Sequence, residues 1–159
     1  MRNTYRGSDA YEPVIFSHSN VKSLCDHPRN LTDDQIKACA QQNGVVGVTG
    51  VNLFLNDGFD TSTQSIVEHI DYIVQLVGPE YVGIGLDYVV DQGEMNDFIS
   101  KHPDSFKKIS HSQAKSLKFA VPEQIGEIPE LLYRRGYSRD AVENIMGKNF
   151  SRVAQENWL

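Results

Sequence analysis

The chain has 159 residues, of which 40% are hydrophobic and 23% charged, and its formal net charge at pH 7 is −6. This composition is typical of one globular domain with a sizeable core, and it excludes a disordered acidic tail. The acidic balance disfavours nucleic acid as the main partner. No stretch approaches the roughly 18 apolar residues of a membrane helix, and the N-terminus lacks the apolar middle of a signal peptide. We therefore expect a soluble, cytoplasmic protein without a membrane segment, in which Cys25 and Cys39 are reduced.

The chain starts with a polar, aperiodic segment over residues 1–12, and residues 13–159 carry the patterns of a fold. The first apolar run, 13–16, is short and β-branched, which predicts a fully buried strand. Further along, Thr32 and Gln35 have the spacing of a capping box. A helix of about three turns is predicted to follow this box.

Two further strands flank a long amphipathic helix. The run 45–51 is β-branched and ends at Asn52, and the run 81–86 ends at Asp87. Between them, apolar residues recur at steps of three and four and predict a helix over 62–77. Because His69 lies beside this apolar stripe, we expect it on the helix surface.

The C-terminal half is predicted to be mostly helical. Residues 88–120 are polar and long for a connection, which favours a functional loop or a partly helical excursion. After it, Pro122 opens a helix that ends at Gly136, Ser138 caps a short helix, and a final helix starts near Asn149.

The alternation of strands and helices predicts βαβ units and a parallel sheet, and hence an α/β fold. Each predicted strand ends near a polar residue: His18, Asn52 and Asp87. Ligands of parallel α/β folds bind at the carboxyl ends of the strands, so these residues are predicted to converge on one site, where Asn52 would contact substrate. The alternative is that strand ends are simply polar.

The residue types at these positions allow several kinds of chemistry. The motifs of serine hydrolases, phosphate-binding loops and dinucleotide-binding folds are absent. His18 is either a metal ligand or a structural histidine, since the other four histidines show no ligand spacing relative to it. Arg29 has the planar fork that binds a carboxylate, in a substrate or in an ordinary salt bridge. Asp87 suits a general acid or base, or a cap for the next turn.

Four segments resemble one known family. Residues 13–20 together with 27–34 are similar to the metal-binding and substrate-binding stretch of the membrane (renal) dipeptidases, which are zinc metallopeptidases. Residues 82–87 resemble the glycine-rich strand of the family and its catalytic aspartate. Residues 134–138 and 144–153 resemble its C-terminal helices. The resemblance covers nearly everything after residue 12.

The resemblance implies a (β/α)₈ barrel of the TIM type, of which this chain would form about half. It also implies a binuclear zinc site that hydrolyses dipeptides, often with a D-residue at the C-terminal position. By position, His18 matches a zinc ligand, Arg29 the residue that holds the substrate carboxylate, and Asp87 the acid–base aspartate. The remaining zinc ligands of the family precede the segment that matches Pro13, and they have no counterpart in this chain.

These departures leave three hypotheses open. The first is a zinc dipeptidase whose isolated chain has an incomplete metal site and little or no activity. The second is a non-catalytic partial barrel that acts as a binding or assembly module, through homo-oligomers or a complementing N-terminal chain. The third is a barrel amidohydrolase with a non-peptide amide as substrate.

Residues 88–91 also replace the aromatic-Asp-Gly turn that is common in the family, which affects substrate preference.

Overall fold

A three-stranded parallel sheet organises the protein. The computed structural model describes residues 12–56, 60–102 and 117–158. The strands are β1 (Ile15–Phe16), β2 (Val45–Val48) and β3 (Val82–Ile84), and they lie in the order β1-β2-β3 with all pairs parallel. The predicted α/β fold with a parallel sheet is thus confirmed. The predicted N-terminal segment, apart from Glu12, lies outside the described residues.

Helices connect and follow the strands. They are α1 (Asp33–Gln41), α2 (Asn52–Leu55), α3 (Thr63–Val77), α4 (Gln92–Lys101), α5 (Ile128–Arg134), α6 (Arg139–Glu143) and α7 (Asn149–Trp158). Short 3₁₀ turns occupy Pro79–Tyr81 and Pro122–Gly126, and a helical turn over Asn144–Lys148 joins α6 to α7. Among the described helices, none combines the length and apolarity needed to cross a membrane.

Side-chain caps begin two of the helices. In α1, the Thr32 hydroxyl accepts from the Gln35 amide at 3.3 Å, and the Gln35 side chain accepts from the Thr32 amide at 3.0 Å. In α3, the Ser62 hydroxyl accepts from the Ser65 amide at 3.2 Å. These bonds satisfy amides that have no partner within the helix. The capping box of α1 is thus confirmed, and α3 begins within the range predicted from its apolar stripe.

The two faces of the sheet are covered differently. On one face, Val46 and Val82 belong to the main core, together with the α3 residues Ile66, Ile70 and Ile73, which are 0% exposed. Burial of each such isoleucine contributes about 2 kcal/mol to folding. On the other face, Gly83 leaves room for the ring of Phe150, since a β-carbon there would lie 2.5 Å from that ring. The glycine-rich strand therefore accommodates the start of α7.

The segment after β3, residues 88–120, was predicted to be either a functional loop or a partly helical excursion. In its described part it is partly helical. It contains α4, and residues 103–116 lie outside the described part of the chain. A second apolar cluster joins this excursion to α2; its buried members are Val51, Leu53, Phe54, Ile99, Leu117 and Phe119. An antiparallel bridge between Val51 and Phe119 fixes the returning segment.

Two sequence predictions about burial are wrong. The first strand is not fully buried, because Val14 is 41% and Ile15 38% exposed. Among the described residues β1 pairs with β2 on one side, so it is an edge strand. His69 is not on the helix surface: it is 1% exposed, because the spacing of three residues from Ile66 places it on the buried face of α3.

The segment that starts at Pro122 also differs from the prediction of one helix. A 3₁₀ turn comes first, and α5 starts at Ile128, with Pro129 in its first turn. Proline is favoured in a first turn because it has no amide to leave unpaired there. Pro129 therefore lies at the start of α5, and Gly136, with φ of 87°, follows the end of this helix as predicted.

Candidate functional site

The loops that leave β1 and β3 meet at the carboxyl end of the sheet. A β-carbon on Gly85 would lie 1.8 Å from the carbonyl oxygen of Ser17 and 3.2 Å from the Cα atom of His18. The two backbones therefore touch, although β2 separates their strands in the sheet. The amide of Ser19 donates to the carbonyl of Gly47 at 2.7 Å and holds the loop after β1 against β2. The structure thus brings the segments of His18 and Asp87 together.

The imidazole of His18 is partly exposed and held by its neighbour. The Ser17 hydroxyl oxygen lies 2.8 Å from Nδ1 of the His18 ring. When Nδ1 carries the proton and donates to this hydroxyl, the lone pair on Nε2 is available to a metal or a substrate. This is the arrangement in which a neighbouring hydroxyl orients a ligand histidine.

The described residues do not make a complete metal centre. Within 12–56, 60–102 and 117–158, no group of three or more His, Cys, Asp and Glu side chains is placed to hold a metal ion. Zinc in a catalytic site is held by three protein ligands, and His18 alone could supply only one of them. The donor set in this part of the chain therefore does not fit the zinc site that the resemblance implies.

Asp87 lies at a sharp turn after β3. Its backbone has a φ of 60°, in the left-handed region that non-glycine residues rarely occupy, and its side chain is exposed. The carbonyl of Leu86 accepts from the Gly50 amide at 3.0 Å, which anchors the residue before the turn. The turn thus directs the chain out of the sheet at Asp87 and leaves the carboxylate accessible to a ligand.

Arg29 lies on an aromatic platform in the loop after β1. Its guanidinium carbon is 5.3 Å from the centroid of the Phe54 ring, and its backbone amide donates to Nδ1 of His27 at 3.2 Å. The His27 ring packs on Phe54 with a centroid distance of 4.8 Å. No carboxylate within the described ranges lies within ion-pair distance of Arg29. The exposed guanidinium thus lies over a ring and, in the described part of the chain, has no acidic partner.

Asn52 is buried within the fold. It is the first residue of α2, not the end of β2, and it is 0% exposed. Its side-chain oxygen accepts from the Lys118 amide at 2.9 Å, and its own amide donates to the Lys118 carbonyl at 3.1 Å. Substrate contact through Asn52 stays a prediction, and a substrate would reach this side chain only if the segments around it opened. In this structure Asn52 instead ties α2 to the segment that returns from the excursion.

Sequence reasoning missed three buried polar residues around α2. Asn20 and Asn30 each donate from Nδ2 to the carbonyl of Phe54, at 3.1 and 2.9 Å. His69 accepts from the Val21 amide at 3.0 Å through Nδ1, and its Nε2 lies 2.9 Å from the carbonyl of Leu55. Since Nδ1 accepts, Nε2 carries the proton. For His69 the signal was present in the helical spacing, whereas for the two asparagines no local pattern exists.

Burial also affects the ionisation of His69. Removal from water lowers the pKa of its imidazole, and this outweighs the opposing effects of the Leu55 carbonyl and Glu68. The ring is therefore held neutral, as its two hydrogen bonds require.

Comparisons with known proteins agree with this geometry. The sequence model described as "Membrane dipeptidase (Peptidase family M19)" matches residues 1–157. The chain belongs to the membrane dipeptidase family. This confirms the resemblance that the site segments indicated.

Two curated relatives and one solved structure show how much of a family member is present. An uncharacterized protein in the pqqA 5′ region of Klebsiella pneumoniae is 31% identical over 159 residues, which cover 94% of this chain and 48% of that protein. Dipeptidase ataJ of Aspergillus terreus is 32% identical over 91% of this chain and 30% of its own length. An amidohydrolase from Pseudomonas aeruginosa superposes with a TM-score of 0.76 and 31% identity over 92% of this chain and 46% of its own. The chain thus spans less than half of each of these relatives.

Proposed function

We propose that the chain carries the substrate-carboxylate and acid–base part of a dipeptidase site and acts in the hydrolysis of dipeptides. Family membership over residues 1–157 is the observation that carries this proposal. The Aspergillus relative is named a dipeptidase and the Pseudomonas relative an amidohydrolase, and both names denote hydrolysis of an amide bond.

Arg29 would bind the C-terminal carboxylate of the substrate. Its guanidinium is exposed and has no ion-pair partner among the described residues, so its donors can form two parallel hydrogen bonds to a carboxylate. An anchor for a free C-terminus close to the reacting bond selects a dipeptide over a long chain. Asp87, exposed at its turn, would then pass a proton to the departing amine.

Zinc binding through His18 is the part of this proposal that needs further ligands. The described residues supply one imidazole to such a site, so the remaining ligands would come from outside the described ranges or from another chain. We expect the purified chain by itself to hold less than stoichiometric zinc and to hydrolyse dipeptides slowly or not at all.

A partial (β/α)₈ barrel is the architecture that we propose. The parallel sheet with helices between its strands and the similarity to the Pseudomonas amidohydrolase over 46% of that chain support it. A partial barrel has uncovered edges, and here Val14, just before β1, and Ile15 within β1 are exposed at the edge of the sheet. These exposed residues favour a second candidate function, a non-catalytic assembly module that pairs with another copy or with a complementing N-terminal chain.

Zinc content, dipeptide turnover and light scattering test these proposals together. The purified chain is measured with glycyl-D-alanine and with its C-terminal amide, beside the Asp87→Asn and Arg29→Ala variants. Stoichiometric zinc with turnover that depends on Asp87 would overturn the expectation of inactivity and confirm the catalytic role. Equal turnover of the free and the amidated substrate would instead favour an amidohydrolase with another amide substrate. A stable monomer at low concentration would count against the assembly module.

A further inference from the structure

Three buried side chains converge on one end of the four-residue helix α2. Asn20 is 0%, Asn30 5% and His69 1% exposed, and each donates a hydrogen bond to the carbonyl of Phe54 or Leu55. The last carbonyls of a helix have no partner within it, and buried polar groups without partners are costly. The three donors therefore fix the position of a helix that is too short to be stable by itself.

The donors also connect α2 to the loop after β1. The Asn20 side chain donates to the carbonyl of Thr49 at 3.1 Å and accepts from its amide at 3.0 Å, so it links this loop to the end of β2. The Asn30 side chain donates to the carbonyl of Cys25 at 2.9 Å. His69 joins Val21 to Leu55 through its two ring nitrogens. The loop that contains His18 and Arg29 is thereby held in a defined position relative to α2.

The functional side chain that α2 presents is Phe54. Its ring is 6% exposed, and it packs on the ring of His27 and under the guanidinium of Arg29. An arginine side chain on a surface normally loses considerable rotamer freedom when it binds a ligand. A guanidinium that already rests on a fixed aromatic ring loses less of it, and the attraction between cation and ring holds it in place.

We propose that Phe54 is a positioning residue: its ring orients the Arg29 guanidinium for a substrate carboxylate, and Asn20, Asn30 and His69 hold that ring in place. This inference rests on the proposed function in one respect, the role of Arg29 as carboxylate anchor. Phe54 itself acts through Arg29 and not on the substrate.

The ligand-free test measures the mobility of Arg29. Nitrogen relaxation of the Arg29 Nε–H group by NMR is compared in the native chain, Phe54→Leu and Phe54→Tyr. The tyrosine variant keeps the ring and is the matched control, while the Val21 amide resonance reports whether the α2 region is still folded. We expect a restrained Nε–H group in the native chain and in Phe54→Tyr, and a mobile one in Phe54→Leu. Equal mobility in all three proteins would overturn the proposal.

The ligand test measures affinity for glycyl-D-alanine and for its C-terminal amide by NMR titration of the same proteins. Phe54→Leu should weaken binding of the free dipeptide by about two- to fivefold and leave that of the amide unchanged, whereas Phe54→Tyr should bind both like the native chain. In an Arg29→Ala background, Phe54→Leu should have no further effect.

The two proposals fail in different ways. If Arg29→Ala weakens binding of the free dipeptide but Phe54→Leu does not, the positioning role is wrong and the carboxylate anchor stands. If Arg29→Ala changes nothing and Arg29 is nevertheless restrained by Phe54, the carboxylate anchor is wrong and the aromatic platform has another purpose. Equal weakening of the free dipeptide and the amide by Phe54→Leu would show a general structural defect and refute the positioning role.

Discussion

Replacing Gly85 with alanine is expected to separate the two strand ends that form the candidate site. The new β-carbon would lie 1.8 Å from the carbonyl oxygen of Ser17 and 2.9 Å from its carbonyl carbon. Real β-carbons do not approach a heavy atom closer than about 3 Å, so the backbones must move apart by roughly 1 Å or more. Both groups are backbone atoms next to sheet strands, and neither can rotate away.

The expected cost is about 3 kcal/mol, at the upper end of what overpacking causes. With a urea slope of about 2 kcal/mol per molar, the midpoint of unfolding should fall by about 1.5 M. Urea denaturation followed by circular dichroism measures this shift, and the His18 ring resonances report the local displacement. Gly126→Ala is the matched control, since no atom lies within 4 Å of its β-carbon position, and it should change stability by less than about 0.5 kcal/mol. Equal midpoints for the two variants would refute the close approach of the strand ends.

Three further predictions concern buried polar groups. Burial lowers the pKa of His69 in the folded protein, so the contribution of its neutral ring to the free energy of unfolding should be fully present above the ordinary pKa of 6.5. Below that pH the free energy of unfolding should fall, by at most about 1.4 kcal/mol per pH unit for this one proton. His69→Gln should remove this pH dependence from urea midpoints measured between pH 7.5 and 5, and parallel pH profiles of the two proteins would contradict the prediction. Asn149→Ala should lower the free energy of unfolding by about 2 kcal/mol in the same assay, because Nδ2 of Asn149 donates to the carbonyls of Pro79 and Val82 at 2.7 and 2.8 Å. The control is Asn157→Ala at an exposed position, which should cost less than about 0.5 kcal/mol. Equal losses of stability in the two variants would refute the reasoning. Burial raises the pKa of the Cys39 thiol to about 11, so iodoacetamide at pH 8 should alkylate it in urea but not in the native chain, which mass spectrometry of the peptide would show.

Local signals predicted the helices well. The start of α1 follows from a capping box whose two residues lie three positions apart, and the range of α3 follows from its apolar stripe with a period of 3.6. The prediction for His69 was wrong although the same period contains the answer, since position 69 lies one turn from Ile66 and from Ile73.

Contacts between distant segments could not be predicted. Arg29 lies in the loop after β1 and Phe54 lies in α2, 25 positions later, and no local pattern relates an arginine to such a ring. The exposure of β1 likewise depends on which strands flank it, because a β-branched run looks the same at the centre of a sheet and at its edge. Asn52 was placed at a strand end, whereas the chain had already turned into α2 with its side chain buried.

The sequence by itself determined the α/β class, the main helices and the family, and through the family motifs it singled out His18, Arg29 and Asp87. Such information is carried by residue type and short-range spacing, which can be interpreted without knowing the tertiary structure. The tertiary structure alone decided that the Ser17–His18 and Gly85–Asp87 segments touch, that Phe54 lies under Arg29 and that Asn20, Asn30 and His69 hold α2. These juxtapositions follow from packing a parallel sheet against long connections, and they depend on every connection at once.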